Sequence, residues 1–118
     1  MKIGSHTLSL PLIQGGMGVG VSLSSLAGNV AKKGAMGVIS TAQIGFKKPS
    51  FLKDTKKANL EAIDEEIKRA KEISNNNGMV AVNVMVALSD YEQHVRQAVQ
   101  SGVDAIISGA GLPLKLPE

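Results

Sequence analysis

The chain has 118 residues, of which 43% are hydrophobic and 19% charged, and its formal net charge is +3. That is the make-up of one globular domain at most, and it excludes a disordered tail or a fibre. The absence of cysteine excludes disulfides and thiolate metal sites, and fits a reducing compartment. No stretch approaches the roughly 18 apolar residues of a membrane span. Pro11, Gln14 and the glycines after them break the apolar run that a signal peptide would need, so the expected location is cytoplasmic.

Residues 10–14 form a short apolar run ended by glycine, the pattern of a buried strand. A glycine-rich loop follows, with Gly15, Gly16, Gly18 and Gly20 around Met17. Leu23, Leu26, Ala27, Val30 and Ala31 then recur at helical spacing, with Ser22 as the expected N-cap and Gly34 just past the end. The run MGVIS at 36–40 predicts a second strand. Residues 41–55 are a polar, basic connection containing Pro49. The lysines at 47, 48, 53, 56 and 57 have a single aromatic, Phe51, among them, and they read as a solvated surface rather than a nucleic-acid site.

A helix is predicted over residues 56–74, with Leu60, Ile63, Ile67, Ala70 and Ile73 as its apolar stripe. Asp64 with Lys68 and Glu65 with Arg69 are spaced to pair along it. The run MVAVNVMVAL predicts a third strand, apolar on both faces. The sequence SDYE at 89–92 has the form of a capping box and opens a third helix, with Val95, Ala98 and Val99 inward. Residues 103–108 predict a fourth strand, followed by GAGLP. His6 falls in an N-terminal turn and His94 on the outer face of the third helix, and neither is assigned a catalytic role.

The order is β-α-β-α-β-α-β. Strands that are apolar throughout, rather than alternating, are those of a parallel sheet buried on both faces. Strand-to-strand steps of about 25 residues fit either an open doubly wound sheet or a (β/α)8 barrel. Both architectures bind ligands at the carboxyl ends of their strands. The stretches found there are GGMGVG, STAQIG, Asn83 within VNVMV, and SGAGLP. They are small, polar and rich in backbone N–H, with no Ser/His/Asp set, HExxH motif or carboxylate cluster. The spacing GxGxxG also fails, because Val21 or Leu23 stands where the third glycine would be. Glycine lets a backbone approach a flat ring closely, so a planar or phosphorylated small molecule is the expected ligand. Asn83, a polar residue in an apolar run, needs a partner, either neighbouring backbone or a ligand's polar edge.

The stretches PLIQGGMGVGVSLSSLAGNVAKKGAMGVISTAQIG, VNVMVAL and DAIISGAGLPLKLPE resemble, in order and across nearly the whole chain, the N-terminal part of nitronate monooxygenases, formerly called 2-nitropropane dioxygenases. Flavin-dependent enoyl-acyl-carrier-protein reductases are close relatives of that family. The resemblance implies the N-terminal half of an FMN-binding (β/α)8 barrel, a fold of about 250 residues when complete. It implies that Gly16, Met17 and Gly18 lie against the isoalloxazine and ribityl chain, and that Asn83 meets the flavin's polar edge. Gly109, Ala110 and Gly111 would line the pocket, with Gln43 contributing. The family's phosphate loops and catalytic histidine follow later strands, so the chain alone is expected to be inactive. Its expected partners are a small-molecule substrate and further copies of itself, through exposed half-barrel edges, with neither nucleic acid nor membrane. An enoyl reductase portion and a non-catalytic, self-associating half-barrel are the alternatives.

Overall fold

The computed structural model describes residues 1–116. Its centre is a three-stranded parallel sheet of β3 (Met36–Ser40), β4 (Met79–Met85) and β5 (Ala105–Gly109), in that spatial order. Met36 stands opposite Met79 and Ser40 opposite Asn83, while Asn83 in turn stands opposite Ile107. The helices α1 (Ser24–Lys32), α2 (Thr55–Ser74) and α3 (Tyr91–Gln100) fall between successive strands as predicted. The protein is an α/β fold with a parallel sheet.

All three helices lie on one face of the sheet. Ala27 and Ala31 of α1, Ile63, Ile67 and Ala70 of α2, and Val95 and Ala98 of α3 share one buried cluster with Ile39, Val80, Val82 and Val84. These strand residues alternate with those of the opposite face, as the pleat requires. Full burial of each Ile or Val there contributes about 1.5–3 kcal/mol. The opposite face carries Met36, Val38, Met79 and Ala81, with Ala105 and Ile107 beside them. No helix packs on it among the described residues. It is closed instead by Leu8 and Ile3 of an N-terminal hairpin, in which β1 (Lys2–Ile3) pairs antiparallel with β2 (His6–Thr7).

Several local expectations change. The hairpin was not foreseen, because two strands of two residues show no periodicity. The predicted strand at 10–14 reduces to one bridge, Ile13 beside Met36, with Leu12 and Ile13 62% and 51% exposed rather than buried. Its ladder is Met36 N donating to Leu12 O and Gln14 N to Met36 O, each 3.0 Å, before the chain leaves at Gly15. Ser22 is not the cap of α1. The N-cap is Leu23, without a side-chain bond, and the Ser24 N–H is taken by Glu66 Oε2 of α2 at 2.8 Å. The expected capping box of α3 does not form, since Asp90 is the N-cap and makes no side-chain cap bond. Val99 is 60% exposed, not inward. Asp64 pairs with Lys68 at 2.9 Å as expected, but Glu65 turns to Lys48 and Arg69 to Glu66. Of the basic connection, Lys48 and Lys56 are held in ion pairs, with Glu65 and Asp90 respectively, as a solvated surface of mixed charge. No helix is long and apolar enough to cross a membrane among the described residues.

Candidate functional site

The helix-free face ends differently at the two ends of its strands. At the amino end, Asp104 is almost enclosed. Its Oδ2 accepts the Val80 N–H at 2.9 Å and a bond from Lys71 Nζ, and its Oδ1 lies 3.3 Å from His6 Nε2. Every strong acceptor position there has a partner. At the carboxyl end, Ser40, Asn83, Met85 and Gly109 come together from β3, β4 and β5.

The glycine loop folds onto this carboxyl end. Gln14 anchors it by using its side-chain amide as a strand would use its backbone. Val38 N donates to Gln14 Oε1 at 2.8 Å, and Gln14 Nε2 donates to Val38 O at 3.1 Å. Ser22, buried, completes the anchor: its Oγ accepts from Met17 N at 2.9 Å and from Gln14 Nε2 at 3.1 Å. Its carbonyl accepts the Ser40 N–H at 2.9 Å. Sequence reasoning missed both anchoring roles. A lone Gln at the end of an apolar run was the available signal.

Gly16 and Gly18 therefore sit over the strand ends, and their missing side chains are used by the protein itself. A Cβ at Gly16 would stand 2.9 Å from Asn83 Cβ and 3.1 Å from Val38 Cγ1. One at Gly18 would stand 3.0 Å from Ala42 Cβ and 3.1 Å from Ser40 Oγ. The first is closer than side chains tolerate, and the second would force its neighbours to give by a few tenths of an ångström. Packing against Asn83, Val38, Ala42 and Ser40 is thus one requirement for glycine at these two positions. Open space lies instead over Gly15 and Gly109.

Met17 projects outward, 61% exposed, and Met85 is 37% exposed at the same end of the sheet. Asn83 is half-buried. Its carbonyl accepts both the N–H and the hydroxyl of Thr41, at 3.2 and 3.3 Å. Its side-chain amide makes no hydrogen bond within the described residues. The structure thus brings Gly16, Gly18, Asn83 and Gly109 to one end of one face, with Met17 above them. Ala110 and Gly111 curl away beside Val86, with φ of +56° and +145°. Gln43 is not part of the group: its exposed side chain accepts from Asn59 Nδ2 of α2 at 3.3 Å.

His94 corrects an expectation more sharply. It is 2% exposed, not on an outer face, and its Nδ1 lies 3.2 Å from Thr41 Oγ1 at the end of β3. Burial holds its pKa below the ordinary 6.5, with the Asp90 carboxylate pulling the other way. No cluster of three or more His, Asp or Glu is arranged for a metal among the described residues. Among known proteins, no family model matches the chain, and no curated sequence matches it.

Proposed function

We propose that the chain is the N-terminal portion of an FMN-dependent oxidoreductase of the nitronate monooxygenase type, and that the carboxyl end of the helix-free face takes the flavin. The fold supports a barrel segment over a doubly wound sheet. A doubly wound sheet places helices on both faces, whereas all three helices here lie on one, with the strands in sequential order. In a barrel of this type the helix-free face is the interior.

The observation that carries the reading is Asn83. A polar side chain on a largely apolar face, with its backbone pinned and its amide unpartnered, is held ready for a ligand's polar edge. The exposed thioethers of Met17 and Met85 offer polarisable surface to a ring, and the space over Gly109 leaves room beside them. These features fit a flavin ring with one apolar face and one hydrogen-bonding edge. FMN, when bound, supplies the redox chemistry by which such enzymes oxidise alkyl nitronates with oxygen. This chain's residues bind and orient: Asn83 fixes the edge, Gln14 and Ser22 hold the loop, and the methionines shield the ring from water. Among the described residues no acid–base pair stands at the carboxyl end of the face, so on this reading proton transfer would fall to the family's later strands.

FMN titration of the isotope-labelled chain, followed by NMR, tests the reading. Weak binding near the millimolar range, roughly −4 kcal/mol, is expected, with shifts concentrated at Gly16, Asn83 and Gly109. Shifts centred elsewhere, or none up to the solubility limit, would refute it. A second reading has its own observation. β5 pairs only with β4 among the described residues, and Leu112 and Leu114 beyond it are 77% and 84% exposed. An open edge flanked by leucines favours self-association, and concentration-dependent sedimentation distinguishes it.

A further inference from the structure

His94 and Thr41 form a chain of hydrogen bonds that ends on Asn83, and a donor–acceptor assignment follows from its acceptor end. The Asn83 carbonyl can only accept. The Thr41 hydroxyl, 3.3 Å away, must therefore donate to it. Its oxygen is then an acceptor for His94 Nδ1 at 3.2 Å. The imidazole in this arrangement carries a proton on Nδ1, which in the neutral ring is its only one. The remaining nitrogen, Nε2, is a buried lone pair with no partner among the described residues.

From this geometry we infer that His94 is a positioning residue: in its neutral form it props α3 against Thr41 and so fixes the strand end on which Asn83 and Gly16 meet, and protonation releases the prop. The reason is local. A second proton must go on Nε2, where the described residues offer no acceptor in place. The charge that acts on the ring is Asp90, the N-cap of α3, whose Oδ1 lies 3.4 Å from Lys56 Nζ of α2 and makes no hydrogen bond among the described residues. The strands β3 and β4 contribute no ionisable side chain to the ring's surroundings. An imidazolium there must turn toward Asp90, in competition with Lys56, or leave the pocket. Either movement removes the donor from Thr41. Loss of that donor frees Thr41, whose N–H and hydroxyl both hold the Asn83 carbonyl. Gly16, with no room for even a Cβ against Asn83, feels any shift there. The inference deepens the flavin reading and rests on it only for what Asn83 meets.

The test needs no flavin. Long-range 1H–15N spectra of the wild-type imidazoles, taken through a pH titration, should show the Nδ1–H tautomer of His94 at high pH. Its midpoint should fall below 6.5, and the Asn83 side-chain amide and the Gly16 amide should shift with that same midpoint. In Thr41→Val, which keeps the shape and loses the hydroxyl, Asn83 and Gly16 should stop following His94. A dominant Nε2–H tautomer, or Asn83 and Gly16 signals that stay flat while His94 titrates, overturns the inference. Failure of FMN to bind leaves these readings untouched and counts against the flavin proposal alone.

Discussion

The two ends of the helix-free face are built from the same strands and differ in how completely their polar groups are used. At the amino end, Asp104 binds Val80, Lys71 and His6, and Leu8 at 2% exposure seals the apolar floor. At the carboxyl end, Asn83 keeps its amide unpartnered, and two methionines stand partly in solvent. The closed end spends its groups on stability. The open end keeps a polar group and apolar surface for something outside the chain.

That contrast can be broken most directly at the closed end. Leu8→Ala should destabilise the chain by about 2–4 kcal/mol, by transfer and cavity terms together, measured by urea unfolding. A change below about 1 kcal/mol would mean that the hairpin is not part of the folded unit. Next in size is Gln14→Ala. It strips the partners from the N–H and C=O of a fully buried Val38 and should remove about 2 kcal/mol, while speeding hydrogen exchange at the Val38 amide. Unchanged exchange there would show that the side-chain amide does not anchor the loop.

A smaller effect is expected from pH. Because the folded-state pKa of His94 is depressed below 6.5, the unfolded chain binds its proton more readily. Stability should therefore rise with pH from the folded-state value up to about 6.5 and stay level above it. His94→Gln should lack that portion of the slope, and identical pH profiles for the two proteins would contradict the assignment. The smallest change should come from Asn83→Ala: within about 0.5 kcal/mol in stability, but with loss of the flavin-induced shifts. If it destabilises as much as Leu8→Ala, the two ends are alike, and the comparison fails.

The legible part of this fold was the part governed by long apolar patterns. The stripe through Ile63, Ile67 and Ala70 and the continuous runs at β3 and β4 came through within a few residues. What was hidden depended on contacts distant in sequence. Ser22 looks like a helix cap until Gln14 and Met17 are brought to it from across the loop. His94 looks solvent-facing, because its helix is polar on average, until Thr41, 53 residues earlier, meets its ring. Asn83 could be singled out because one amide among nine apolar residues is conspicuous. The packing of Gly16 against Asn83 and Val38 was hidden for a related reason: a bare glycine does not reveal which neighbouring side chains fill its space.

The carboxylate that Glu66 lends to the first turn of α1 also bears on the order of folding. Nine residues are too few for a helix to persist alone in water, and α1 brings no cap of its own. Its nucleation therefore waits on the twenty-residue α2, which arises later from the ribosome but can form first. Probes on Ser24 should register late in the folding transition state, and probes in the middle of α2 early.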